Sequence, residues 1–235
     1  MGEHLILPGD PPIALDIRPS ARARRLSLRV SRLDGRVTLT LPKGASRRHA
    51  LSFVEDKADW IRRHLADRPD AEVPMPGGLL PFRGTDHPVV TGAGRSVRLV
   101  GGRIEVPHRD PERTPARLMA FLKHEARAAL AEAVDRHAAT LAVTPGKLAL
   151  RDTRSRWGSC TARGDLMFSW RLVMAPPDVL DYVAAHEVAH LIEMNHSRAF
   201  WATVGRTCPG YEAPRRWLKQ NAEALHRFRF RDDPA

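Results

Sequence analysis

His186-Glu187-Val188-Ala189-His190 sets two histidines four residues apart with a glutamate between them. On an α-helix, residues four apart lie about 40° from each other round the axis, so both imidazoles can reach one ion while Glu187 leans over it. This pattern suits hydrolysis. Zinc with three protein ligands keeps a fourth position for water and lowers that water's pKa to about 7. The expectation is one Zn2+ ion, with Glu187 as the general base that takes a proton from metal-bound water and passes it to the leaving group.

His196 is the expected third ligand. It follows His186 by ten residues, which on an unbroken helix is roughly 280° round and off the metal face, so the helix must end first. Asn195 tolerates the left-handed conformation that stops helices, and Ser197 can cap the next one. Glu193 is the local rival, but a ligand from the same rigid helix would complete a tetrahedron poorly. His124-Glu125 has no histidine three residues after the glutamate and reads as surface.

The elements that must position these residues follow from periodicity. Residues 12–41 are strand-like: Leu26, Leu28 and Val30 alternate, Asp34-Gly35 turns, and Val37, Leu39 and Leu41 alternate again, which makes a hairpin. Ser46 caps a helix through Leu65, and residues 67–84, rich in Pro and Gly, read as a connector. Val89-Val90, residues 97–100 and residues 104–106 read as short antiparallel strands. A long helix is predicted over 115–140, strands over 148–150 and 166–174 with a polar loop over 154–161 between them, and then the motif helix opened by Pro177. Shorter helices follow from Ser197 and over 214–228. The composition change at Pro111 suggests two domains, a β-rich 1–110 with one helix and a catalytic 111–235. The N-terminal part would cover the cleft, dock a partner or complete the sheet.

The chain has 235 residues with 43% hydrophobic content, enough for a real core. It contains no apolar run of the roughly 18 to 20 residues needed to span a bilayer, and its start lacks the order of a secretory signal. With two cysteines, Cys160 and Cys208, too few for a disulfide framework, a cytoplasmic protein with free thiols is expected. Lys and Arg number 38 against 27 Asp and Glu, a formal net charge of +11. This favours anionic contacts: an Arg-rich solvated face on one reading, nucleic-acid contact through the basic surface on the other.

Several residues near the motif have two readings each. Tyr211 can stabilise a tetrahedral intermediate or simply pack. Arg154 or Arg156 can steady an anionic substrate or pair with Asp152 or Asp165. Trp157 and Trp170 read as packing residues, Cys160 as an inert thiol, and Phe200, Trp201, Val204, Trp217, Leu218 and Leu225 as core.

The zinc proteases of pattern H-E-x-x-H-x-x-G-x-x-H share the ten-residue spacing, but Glu193 stands at their glycine and no methionine follows Met194. From about Arg22 to Leu225 the chain instead resembles the YgjP-like metal-dependent hydrolases, relatives of SprT-like and other zincin metallopeptidases. The resemblance rests on Arg24-Arg-Leu-Ser-Leu-Arg-Val, Lys57-Ala-Asp-Trp-Ile, Arg156-Trp-Gly-Ser-Cys160, Phe168-Ser-Trp-Arg-Leu, the H-E-x-x-H motif and Asn195-His-Ser. It implies an α+β fold with a zincin-like core, a small antiparallel sheet packed on the motif helix and the long helix before it, and zinc on His186, His190 and His196.

The favoured function is a zinc metallopeptidase cleaving peptide bonds in a peptide or protein. One alternative is hydrolysis of an anionic small molecule at a nucleotide phosphoanhydride bond, with arginines from residues 151–163 on the phosphates. The other is a basic nucleic-acid-binding protein with a structural zinc, although such sites more often use four ligands with several cysteines.

Overall fold

Ile13, Leu15 and Ile17 are buried while Ala14 and Arg18 face water, and this period of two makes a strand with one dry face. The computed structural model describes residues 3–31, 35–66 and 71–230. Strands β1 (Glu3–Leu7), β2 (Ile13–Ser20), β3 (Ser27–Val30) and β4 (Val37–Pro42) form a sheet of order β1-β2-β4-β3. The expected hairpin is the antiparallel β3–β4 pair, and β4 also pairs in parallel with β2. Asp34 of the predicted turn lies outside the described residues. The predicted helix is two, α1 (Arg47–Asp56) and α2 (Ala58–Ala66), because Lys57 leaves helical geometry at φ −101°, ψ 4°. Ser46 caps α1 as expected, its hydroxyl accepting from the His49 N–H at 3.4 Å. Ala50, Val54 and Ile61 cover the apolar face of the sheet.

The chain divides into two compact units between Asp70 and Ala71, inside the Pro- and Gly-rich connector and not at Pro111. Strands β5 (Leu79–Phe82), β6 (Thr85–Gly92), β7 (Arg98–Val100) and β8 (Arg103–Pro107), in the order β5-β6-β8-β7, therefore belong with the helices that follow. Leu80, Phe82, Val89, Ile104 and Val106 share one core with Leu118, Leu122, Ala126 and Leu130 of α3 (Thr114–Leu141). The β6–β8 pair is parallel, contrary to the all-antiparallel expectation.

A third sheet has order β10-β11-β9, from β9 (Leu148–Arg151), β10 (Gly158–Cys160) and β11 (Leu166–Ser169). Two local predictions are corrected here. Residues 158–160, expected in a polar loop, are a strand, and residues 170–174, expected in a strand, form a 3-10 turn whose side chains are all buried. β9 and β11 run parallel and β10 antiparallel, so this α+β chain is built on mixed sheets. Helix α4 (Pro177–Ala189), with Pro177 in its first turn, packs on α3 and β10 and is buried nearly all round. α5 (Arg198–Thr207) and α6 (Glu212–His226) complete the unit. Among the described residues, no helix is long and apolar enough to cross a membrane.

Candidate metal centre

Helix α4 stops at Ala189, and His190 is its C-terminal cap. The Leu191, Ile192 and Glu193 N–H groups close on the carbonyls of Val188 and Ala189 at 3.0–3.1 Å and turn the chain back. Asn195 does not take the positive φ expected of it. It works through its side chain, whose Oδ1 accepts from the Ser197 N–H at 3.1 Å, while Ser197 Oγ accepts from the Phe200 N–H at 3.2 Å and opens α5. His196 is thereby held between the end of one helix and the cap of the next.

This turn brings His186, His190 and His196 together, with one nitrogen of each within 4.8 Å of the others. Their ring centroids form a nearly equilateral triangle with sides of 5.0, 5.0 and 4.8 Å. His186 Nε2 faces His196 Nε2 at 3.1 Å, close to the edge of about 3.3 Å that bonds of 2.0–2.1 Å give in a tetrahedral zinc site. His190 Nδ1 donates to the Glu193 carbonyl at 2.9 Å, which leaves Nε2 bare as an acceptor. Glu193 thus contributes its backbone, and its carboxylate is not part of the cluster. Burial, with the charges of His190, His196 and Arg215, holds His186 down to about 3, so the imidazole stays neutral as a ligand must be. Burial also lowers His190. These three donors fit one divalent cation.

Phe200, assigned to the core from spacing alone, has a more specific place. Its fully buried ring lies 4.9, 4.5 and 4.8 Å from the rings of His186, His190 and His196, an apolar seat touching all three. Nothing in periodicity distinguishes such a residue from any other buried phenylalanine.

Glu187 is 5% exposed and lies against Gly158 of β10. Burial pushes its carboxyl up to about 7, with the positive charge of Arg156 acting against the rise. A group balanced there can accept or release a proton near neutral pH. The loop carrying Arg156 is fixed from behind, because buried Arg171 makes a two-pronged ion pair with Asp152 at 2.7 and 3.2 Å. The same guanidinium donates to the carbonyls of Leu225 and Phe228. Asp152 therefore pairs with Arg171, while Asp165 accepts from the Lys147 N–H at 2.8 Å.

Tyr211 stands in an aromatic layer beside the histidines. Its ring stacks on Trp201 at 5.3 Å and on Tyr182 at 6.3 Å, and Trp201 lies 5.7 Å from His186 and 5.9 Å from His196. Sequence reasoning misses Tyr182, four residues before His186, although that spacing puts it on the motif face. Burial raises its phenol to about 12. Arg215 lies 4.2 Å over Trp201. Trp170 is fully buried and Trp157 packs against the core, as expected. Both cysteines are free; burial pushes Cys160 up, with Glu187 and Asp165 adding to it, so it stays a thiol beside the site.

Comparison with curated proteins gives no match. Among solved structures, the crystal structure of the metallopeptidase zymogen of Pyrococcus abyssi abylysin is similar at 18% identity and a TM-score of 0.36 over 39% of this chain and 93% of that one, too slight a likeness to carry an argument. The family description "YgjP-like, metallopeptidase domain" matches residues 24–221, which include the whole histidine cluster, Glu187 and Gly158. The chain belongs to the YgjP-like family of metallopeptidases.

Proposed function

We propose that the protein is a zinc peptidase in which His186, His190 and His196 hold the ion and Glu187 is the general base. The observation that carries this reading is the convergence of three imidazoles beside a buried glutamate whose carboxyl sits near 7. A zinc ion held there supplies a Lewis acid and lowers the pKa of water in its shell. Glu187, held against Gly158, takes the proton of the attacking water and returns it to the departing amine. Arg156 limits the rise of Glu187, so that the carboxylate form is available near neutral pH. The stacked layer of Tyr182, Tyr211 and Trp201 offers an apolar wall to a peptide, and the Tyr211 hydroxyl is the donor best suited to the developing oxyanion.

The decisive experiment measures bound zinc together with hydrolysis of casein and of peptides, with and without chelator, in the wild type and in Glu187→Gln. A variant that keeps about one zinc and loses about 100-fold or more of a chelator-sensitive activity supports the assignment. Unchanged hydrolysis in Glu187→Gln, or a wild type that takes up no metal, rejects it.

A further inference from the structure

In the unit ending at Asp70, the last β2–β4 pair is Ser20 with Pro42 and the first β3–β4 pair is Ser27 with Thr40. The connection 21–26 and the turn after Pro42 therefore leave the same end of the sheet, where α1 begins. Arg22, Arg24 and Arg25 lie on the first, Lys43 on the second and Arg48 in the first turn of the helix, all of them exposed. Among the described residues, none of the five has a carboxylate within 4.0 Å, whereas Arg47 is paired with Glu3. From Ile17 to Val54 the sequence has one acidic residue, Asp34. The positive end of the α1 dipole adds to the same edge. Five unpaired cations on one rim repel one another, and a chain of phosphates relieves that repulsion.

A cavity of about 200 Å³ on the same unit is lined by Leu28, Phe53, Lys57 and Trp60. Leu28 follows the start of β3 directly, so it lies about 10 Å along the chain from Arg25 at the usual rise per residue. Trp60 is 36% exposed and has His64 on one side at 4.2 Å. An exposed indole that shares a cavity with a lysine, on a unit with an arginine-rich rim, suits an unpaired base, whose π-face stacks on an aromatic ring whatever its identity. An anionic membrane fits less well, since among the described residues no large apolar side chain is exposed between Ile17 and Phe53 to anchor in lipid.

We propose that this unit binds single-stranded nucleic acid, its phosphates on Arg22, Arg24, Arg25, Lys43 and Arg48 and one base against Trp60.

The test is fluorescence anisotropy of the full chain with labelled oligouridine and with an RNA duplex of equal length, over a series of salt concentrations. Arg22→Gln/Arg24→Gln/Arg25→Gln should flatten the slope of log K against log salt by about 2, near 0.7 for each single-strand phosphate that no longer meets a cation. Trp60→Ala should weaken oligouridine about 10-fold and leave that slope unchanged, while Trp60→Phe, which keeps a ring, should retain most of the affinity. The control Arg103→Gln/Arg109→Gln/Arg127→Gln, with the same charge change on the other unit, should bind like the wild type. The proposal is overturned by absence of salt-dependent binding, by equal loss in the control, or by a duplex bound as tightly as the single strand with Trp60→Ala silent. Capture of phosphatidylserine vesicles in place of RNA overturns it as well.

Discussion

Gly158 and Glu187 touch: a Cβ placed on Gly158 would lie 2.5 Å from Oε1, 2.6 Å from Cγ and 2.7 Å from Cδ of Glu187. The glutamate is nearly fully buried, so it has little room to yield. Gly158→Ala should therefore move the carboxylate and leave the imidazoles in place. The expected result is a kcat reduced about 100-fold with zinc content unchanged, and a stability cost of about 1–3 kcal/mol from overpacking. Metal analysis, kcat and a denaturant melt on one preparation check it; wild-type kcat in Gly158→Ala would show that the contact does not set the position of the base.

Phe200 supports the histidines from below, and its removal separates metal affinity from catalysis. Phe200→Ala should cost about 3–5 kcal/mol in stability, as buried phenylalanines do, and should weaken zinc binding about 10-fold or more by freeing the three rings. Phe200→Leu fills most of the space and should fold normally with an intermediate zinc affinity. Competition with a chromogenic chelator measures both. Equal zinc affinity in all three proteins would reduce Phe200 to an ordinary core residue.

How much of this site is legible in the sequence depends on the range of the interaction. The His186–His190 pair is a local consequence of helix geometry, and His196 follows from the need to end that helix, so all three positions could be read from spacing. The manner of the turn could not, because Asn195 can act through either its backbone or its side chain, and the choice is settled by the Ser197 N–H. Gly158 escaped because a three-residue strand of Gly, Ser and Cys has no alternation to read, and its partner strand lies across a turn. The parallel β6–β8 pair and the placement of residues 71–110 with α3 depend on side chains far apart in sequence, such as Val89 and Leu118 sharing one core. Composition changes at Pro111, but packing divides the chain about forty residues earlier, after Asp70.

Tyr211 allows a clean separation of roles. If its hydroxyl donates to the developing oxyanion, Tyr211→Phe keeps the stack on Trp201 and Tyr182 and lowers kcat about 10- to 100-fold with KM nearly unchanged. Tyr182→Phe in the same assay is the comparison. Its phenol, raised to about 12, stays protonated through the working range, so no alkaline limb of the pH profile below about 10 should move in that variant. A Tyr211→Phe enzyme with wild-type kcat would return Tyr211 to a packing role.

Asp181 ties α4, the helix that carries His186, to its neighbours and should give the protein an acid-sensitive joint. Its carboxylate meets Arg136 and His137 Nε2 of α3, the latter at 3.0 Å, while His137 Nδ1 bonds Thr207 Oγ1 of α5 at 2.8 Å. Burial acts to raise Asp181, but the hydrogen bonds and charges of His137 and Arg136 outweigh it and hold the carboxyl below its ordinary value. A carboxyl lowered in the folded state binds its proton more weakly there than in the unfolded chain. The stabilisation is thus complete above the ordinary Asp pKa of about 4 and is lost as pH falls through the lowered folded value. Asp181→Asn should therefore melt several degrees below the wild type at pH 7, and the two curves should converge in acid, once the pH has fallen through the lowered folded value. Thermal melts of both proteins between these limits check the sign. A gap that persists unchanged in acid would mean that the joint rests on shape and neutral hydrogen bonds, and the charge on Asp181 would then have no part in holding α4 against α3.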